Sequence, residues 1–237
     1  MRGWEEKRSM AKKNTALKTK RLIITPMTEA ELERKIEETA EPELAAAYGE
    51  MLDGCRREPE NRLWYTAWRM ALKTAPEKPV GDLCFKGPPE KGGTEIGYGT
   101  EPGYEGQGYM TEAVKRLTEW ALAQTDVYTV FAETAPDNAA SQRVLEKAEY
   151  RPCTGENAVG EEGPRFRRDR PAPSYLSIYL CLGMSMGLSL GAALDSVGVG
   201  LSMGLCIGVA LGTLLDRSER KHRREVTGEE APEENEK

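Results

Sequence analysis

The sequence predicts two architectures in one chain. The first is a mixed α/β domain whose sheet is mostly antiparallel and flanked by helices. The second is a C-terminal all-α helical hairpin. Three observations predict this. Short β-branched runs alternate with amphipathic helical repeats over 18–168. A Gly-Gly turn joins two strand-like runs, and strand–helix–strand units follow it. From 175 to 216 the chain becomes glycine-rich and almost uncharged, although the protein is 30% charged as a whole. A length of 237 residues suits one medium domain with an appendage.

The elements follow in order. "TKRLIITPMT" holds an apolar run stopped by proline and reads as a first strand. "TEAELERKIEETA" reads as a helix capped by Thr28, with Leu32 and Ile36 four apart on one face. "PELAAAYGEMLDGCRREP" is a second helix, ended by Pro59. "RLWYTAWRMALK" is aromatic enough for a strand, although its period is not cleanly two. "PVGDLCFKG" and "GGTEIGYGTEP" read as a hairpin. "GYMTEAVKRLTEWALAQ" is a helix whose stripe is Met110, Ala113, Val114, Leu117 and Ala121. "VYTVFAET" is a strand, and "PDNAASQRVLEKAEY" is a helix opened by Asp137 or Asn138. "PRFRR" is the last strand. The expected segments are a flexible basic N-terminus over 1–17, the α/β domain over 18–168 and a proline-marked linker over 169–174. The apolar hairpin over 175–216 and a charged, disordered tail over 217–237 complete the chain.

Charge and cysteine usage narrow the function. The net charge of −6 argues against a general nucleic-acid binder, which would want a basic face. The five cysteines form no C-x-x-C pair, and the only histidine, His222, lies in the charged tail. A Cys/His zinc site has almost no material, so no metal is expected. The scattered cysteines fit a reducing cytoplasm. The N-terminus has no apolar h-region, so no cleavable signal is expected, and Met1 or Met10 could start the chain.

"TEPGYEGQGYMTEA" lies between a strand and the strongest helix. Its glycines, Gly103, Gly106 and Gly108, let a backbone approach a ligand, and the helix start offers unpaired N–H groups and a positive dipole end. A phosphate or pyrophosphate is the natural occupant; the alternative is a turn that binds nothing. No Gly-Lys-Ser/Thr follows, so this is not a P-loop.

"EIGYGTEPGYEGQGYMTEAV", followed by "FAETAPDNAASQRVLEKAEY", resembles the GNAT N-acetyltransferase superfamily over about 18–168. It is most similar to the branch that holds the ribosomal-protein N-terminal acetyltransferases. That family's coenzyme A loop, Gln/Arg-x-x-Gly-x-Gly/Ala, falls on Glu105, Gly106, Gln107, Gly108, Tyr109 and Met110. Glu105 and Met110 depart from its pattern. Glu149 stands where the family usually has glycine before the aromatic.

The resemblance implies acetyl-CoA as cosubstrate and a primary amine, either a protein N-terminus or a small amine, as acceptor. It implies that Tyr98, Gly99 and Thr100 lie along the pantetheine arm. It places Gly106, Gln107, Gly108, Tyr109, Met110 and Thr111 around the pyrophosphate, and Asn138 near the cofactor arm. An amine must lose a proton before it attacks a thioester. Glu133 and Glu95 match base positions in related branches, and Ser141 matches the serine of Asn-x-x-Ser that would serve the leaving thiolate. Where another branch has a tyrosine acid, this chain has Leu145; Tyr98 and Tyr104 are other candidate donors.

Residues 175–194 and 196–215 are each uncharged, long enough as helices to span about 30 Å of hydrocarbon. Gly183, Gly187 and Gly191 share one face; Gly200, Gly204, Gly208 and Gly212 share another. This resembles the glycine-zipper segments of small bacterial membrane-associated proteins. Asp195 marks a tight turn, and the arginine clusters at 165–170 and 217–224 place both ends in the cytoplasm by the positive-inside rule. Leucine and isoleucine contribute only about −0.5 kcal/mol each at a helix centre, so pairing of the two helices, or of several chains through the glycine faces, is expected. Three readings follow. One is a membrane-tethered amine acetyltransferase. Another is a non-catalytic acetyl-CoA-binding regulatory module. In the last, the hairpin is itself the functional, oligomeric membrane element. The soluble counterpart of the tail is a self-associating helical hairpin.

Overall fold

The structure, a computed structural model, describes residues 15–154, 158–160, 163–171 and 173–227. The first part of the expected basic N-terminus and the last part of the expected tail lie outside these residues. The chain divides into two compact units, with the boundary between Arg170 and Pro171.

The first unit is built on an eight-stranded sheet. Its strands are β1 (Leu17–Lys18), β2 (Leu22–Pro26), β3 (Trp68–Leu72), β4 (Ala75–Phe85), β5 (Gly93–Thr100), β6 (Thr129–Glu133), β7 (Arg151–Pro152) and β8 (Arg165–Asp169). They lie in the order β1-β2-β3-β4-β5-β6-β8-β7. All neighbours are antiparallel except β5 and β6. The helices are α1 (Glu29–Glu38), α2 (Pro42–Arg57), the single turn α3 (Arg62–Tyr65), α4 (Tyr109–Leu122) and α5 (Ala139–Lys147).

The expected mixed, mostly antiparallel α/β sheet is therefore the observed one. Thr28 caps α1 in a reciprocal box with Glu31. Leu32 is buried, while Ile36 packs on the same small core with Tyr48, Leu52 and Cys55. The stripe Met110, Ala113, Val114, Leu117 and Ala121 is fully inside, packed with Ile96, Val130, Ala132 and Leu145. Asn138, and not Asp137, caps α5: its side chain accepts from the Ser141 amide at 2.9 Å.

Three expectations need correction. "RLWYTAWRMALK" is not one strand: its first four residues make α3, and β3 begins only at Trp68. Trp64 on that turn packs edge-on to Phe85 and against Trp120, a contact that local propensity does not encode. The two-residue strands β1 and β7 are too short to leave a periodic signal. The linker begins later than 169, because Asp169 is the last residue of β8. The tail is not disordered from 217: helix continues to Thr227.

Glu149, the departure from glycine, does adopt a left-handed conformation, with φ 69°. It follows the C-cap of α5, where Tyr150 N–H donates to the Leu145 carbonyl and Glu149 N–H to that of Glu146. Its carboxylate pairs with Lys115 and, at 2.7 Å, with Arg168.

The second unit is a helical hairpin of α6 (Tyr175–Ala193) and α7 (Val197–Thr227). Asp195, at φ 50°, makes the left-handed turn residue, and Ser196 N–H donates to the Gly191 carbonyl. The Asp216 carboxylate accepts from the first amides of α6, Tyr175 at 2.9 Å and Leu176 at 3.4 Å. A Cβ on Gly183 would collide with the Gly204 carbonyl, and one on Gly187 with that of Gly200. The glycine faces are thus consumed within one chain, and a second copy would meet leucine and methionine instead. Gly204→Ala should lower the thermal midpoint of helical circular dichroism for the full chain in detergent micelles. Gly198→Ala, where nothing lies within 4 Å of the new methyl, should raise it or leave it unchanged, because alanine is the better helix former by about 1 kcal/mol. Equal shifts for the two variants would contradict this packing.

Candidate functional site

The site begins where the sheet divides. β5 pairs with β6 only over 93–95, opposite Thr129, Val130 and Phe131. Over 96–100 β5 remains hydrogen-bonded to β4 but not to β6. One edge of β5 therefore keeps its backbone donors and acceptors free of a ladder, and such groups are costly to leave unmade. Tyr98, Gly99 and Thr100 lie on this stretch. Tyr98 points towards the α4–α5 side, where its hydroxyl lies 2.8 Å from the Ser141 hydroxyl. Burial pushes the Tyr98 phenol above its usual range, partly offset by that hydrogen bond. Asn138, through its cap, fixes the turn that carries Ser141.

Beyond β5 the chain enters the glycine loop. Gly103, Gly106 and Gly108 all have positive φ, between 71° and 87°. At Gly103 and Gly106 no atom lies within 4 Å of an added Cβ, so conformation and not crowding demands glycine there. Gly108 is the N-cap of α4 and offers no side chain, so the first amides of the helix have no side-chain cap. The Met110 side chain is buried in the core, so only its backbone faces the loop side. Glu105 turns inward: its carboxylate accepts from the Gly103 amide at 2.7 Å. Gln107 closes the loop by donating its side-chain amide to the Gly103 carbonyl at 3.1 Å.

Arg21, the residue before β2, was not legible as a site residue. It donates to the Gln107 carbonyl at 3.0 Å, lies over the Tyr109 ring at 4.4 Å and pairs with Glu112 at 2.9 Å. It fixes the loop from 86 residues away along the chain and brings a positive charge beside it. Nothing local in "TKRLIIT" signals this, because the contact exists only once β2 joins the sheet.

The opposite face of the sheet carries the two candidate carboxylates. Side chains alternate along β5, so Glu95 points away from α4 and α5. One Glu95 oxygen is 2.5 Å from Lys86, and the other is 3.6 Å from Arg165. Arg165 also pairs with Glu133 at 3.4 Å. Its guanidinium stacks on the Phe131 ring at 4.1 Å. The two glutamates thus meet at one arginine, a juxtaposition their spacing did not reveal. The Glu133 side chain is only 6% exposed, and Gly160 is packed so closely on it that a Cβ there would overlap the carboxylate.

On the same face, Asp82 of β4 is opposite Gly99 and accepts from the Tyr48 hydroxyl at 2.7 Å. Burial pushes the Asp82 carboxyl up, against the opposing pull of Tyr48 and Lys35. An acid between apolar residues in "PVGDLCF" was the available signal for it. Tyr104, the other candidate donor, is partly buried and has Lys78 over its ring at 5.5 Å. Leu145 is wholly buried and contributes only to packing. No cluster of three or more metal-ligating side chains occurs among the described residues.

A sheet that opens beside a glycine loop at a helix N-terminus defines a class of α/β fold suited to an extended, phosphate-bearing ligand. Residues 21–151 match the family model for the GNAT acetyltransferase domain. The chain belongs to the GNAT acetyltransferase family. Residues 172–218 match the model of glycine zipper membrane proteins. An uncharacterized N-acetyltransferase of Bacillus subtilis (strain 168), YjdG, is 39% identical over 69 residues, 29% of this chain and 41% of that protein. A probable N-acetyltransferase of the same organism, YjcK, is 38% identical over 55 residues, 23% of this chain and 30% of that one. The chain thus aligns with less than half the length of either relative. The ribosomal-protein-S5-alanine acetyltransferase of Vibrio fischeri superposes with a TM-score of 0.51 at 14% identity, covering 66% of this chain and 97% of that one. An acetyltransferase from Agrobacterium tumefaciens superposes at 0.50 with 20% identity, covering 65% and 94%. These superpositions show the fold.

The clamp on the loop has a pH signature. Burial would raise the Glu112 carboxyl, but hydrogen bonds from Thr19 and from the Arg21 amide and side chain outweigh it and hold the group below its usual value. A carboxylate lowered in the folded state contributes stability above its unfolded value of about 4.3, and this is lost as pH falls through the folded value. Glu112→Gln should therefore lower the melting temperature at pH 7, and the gap to the parent protein should close in acid. A gap that stays constant across that range would show that the carboxylate charge is not what holds Arg21.

Proposed function

We propose that the protein is an N-acetyltransferase that moves acetyl from acetyl-CoA directly to a primary amine. The observation that carries this reading is the unpaired β5 edge leading into a glycine loop whose helix start has uncapped amides. Those residues fit the cosubstrate. Tyr98, Gly99 and Thr100 would offer backbone groups to an extended amide-containing arm. Gly106, Gln107, Gly108, Tyr109, Met110 and Thr111 would offer amides to a pyrophosphate, and Asn138 would border the arm. Arg21 adds charge where Glu105 removes it, and Glu105 is itself occupied by Gly103.

In the transfer, an N–C bond forms as the thioester C–S bond breaks. The amine gives up a proton, and the thiolate takes one. The paired hydroxyls of Ser141 and Tyr98 would donate to the thiolate, and one of Glu95 and Glu133, on the other face, would take the amine proton directly or through water. A second reading, a non-catalytic acetyl-CoA sensor, is favoured by two observations. Leu145 is buried where another branch has an acid, and Arg165 clamps both glutamates.

The hairpin would anchor this domain in the membrane. Its outward face is apolar along both helices, with Met186 and Leu214 among the most exposed side chains. Both helices are long and apolar enough to cross a membrane. The arginines at 165–168 serve the sheet, so the cytoplasmic placement of both ends would rest on the basic stretch of α7 over 217–224 and on the folded domain itself.

In detergent micelles, acetyl-CoA should raise the melting temperature of the full chain, and Gly108→Trp should abolish the rise. An amine panel with mass spectrometry of products should reveal an acetylated acceptor. Tyr98→Phe and Ser141→Ala should each lower kcat by about tenfold or more, and so should Gln at whichever glutamate is the base. A thermal shift without any acetylated product would favour the sensor; no shift at millimolar acetyl-CoA would sink both readings. Recovery of the full-length chain as a soluble monomer would refute the membrane anchor.

A further inference from the structure

A cavity of about 390 Å³ lies between α1, the start of α2 and the β4–β5 ladder. That is the size of a small-molecule site. Its walls include Lys35, Leu44, Tyr48, Asp82, Gly99 and Glu101. It reaches β5 at Gly99, on the stretch whose far edge is unpaired, so an occupant would approach the divided sheet from the face opposite Ser141.

The cavity already holds one alkylammonium group. The Lys35 Nζ lies 3.2 Å from a Glu101 oxygen and 3.7 Å from an Asp82 oxygen. The same ammonium stands 5.9 Å from the centre of the Tyr48 ring. Two carboxylates and an aromatic face are the chemistry that recognises an amine cation. Glu41 adds a third carboxylate to the wall, so acids outnumber the single lysine. Leu44, 43% exposed, offers apolar surface to a methylene spacer. Opposite Gly99 there is no side chain to separate Asp82 from β5: the nearest atom to a Cβ built there is the second Asp82 oxygen, at 3.8 Å.

We propose that this cavity is the acceptor site and that it selects an amine carrying a second positive charge, of the alkyl diamine class. The proposal rests on the transferase reading for the word acceptor and on the cavity alone for the charge preference. Asp82 holds the amine that faces β5. Glu101 and Glu41 hold the distal ammonium, which competes with Lys35 for Glu101. Tyr48 fixes Asp82 through its hydroxyl. An acceptor with a negative tail is repelled by the same carboxylates.

The test uses the full chain in detergent micelles, first without acetyl-CoA. Calorimetry with 1,4-diaminobutane, n-butylamine and 4-aminobutanoate should rank them in that order, with about tenfold or more between the first two. Asp82→Asn and the partly exposed Glu101→Gln should each weaken diamine binding about tenfold. Lys35→Met should strengthen it, because the internal cation no longer competes; a lysine needed only for structure would give a loss. With acetyl-CoA added, kcat/KM should follow the same order. Equal binding of the three amines, or weaker diamine binding in Lys35→Met, would overturn the charge preference. Acetyl transfer with no charge preference would leave the transferase standing and remove this inference. The expected binding order without acetyl transfer to any amine would do the reverse for the enzyme, and would strip the cavity of its role as acceptor site.

Discussion

The structure depends on one parallel ladder that stops early. Three residues of β5 pair with β6, and the rest of β5 does not. A sheet that continued would bury those backbone groups in an ordinary ladder. The chain instead holds β5 by β4 alone and lets β6 turn away with β8. The core helices α4 and α5 are secured beneath the opening by Ile96, Val114, Leu117, Val130 and Leu145, so the opening is rigid. An unsatisfied backbone edge in a rigid frame is a binding feature by construction, because any extended chain with amide groups can complete it.

The same division gives the site two unlike sides. Alternation along β5 sends Tyr98 towards Ser141, and sends Glu95 and the bare α-carbons of Gly97 and Gly99 the other way. The Tyr98 and Ser141 hydroxyls lie on one side, while the carboxylates Asp82, Glu95 and Glu133 with their partners lie on the other. In the proposed transfer between a thioester and an amine, that separation would suit the two proton movements, which have opposite directions. Arg165 is the cost of the arrangement. Its one positive charge, projected from β8 over the Phe131 ring, is shared between the carboxylates of Glu95 and Glu133.

In the hairpin the deciding term is contact distance. Glycine is a poor helix former, and one helix of this composition gains little by itself in water or lipid. Two such helices can bring their backbones together, as the glycine carbonyls of one helix against the glycine α-carbons of the other attest. That close approach is gained within a single chain here, and the large apolar side chains are left facing outward.

Much was legible in the sequence because it is local. The periodicities of α1 and α4, the proline after α2, the hairpin of β4 and β5, the Thr28 cap and the glycine loop each depend on residues close along the chain, and so do the glycine faces of the second unit. The motif residues Tyr98, Ser141 and Asn138 could be named from the resemblance, but not that the first two hydroxyls would touch. Tertiary structure alone decided the rest. It turned Arg62–Tyr65 into helix to seat Trp64 among Phe85 and Trp120. It joined Arg21 to Glu112, and Glu95 to Glu133 through Arg165. It set Asp82 beside Tyr48 and Lys35. Each of these links elements that are distant in sequence, so no local preference encodes it; each arises only when the hydrophobic stripes have fixed the order and register of the sheet.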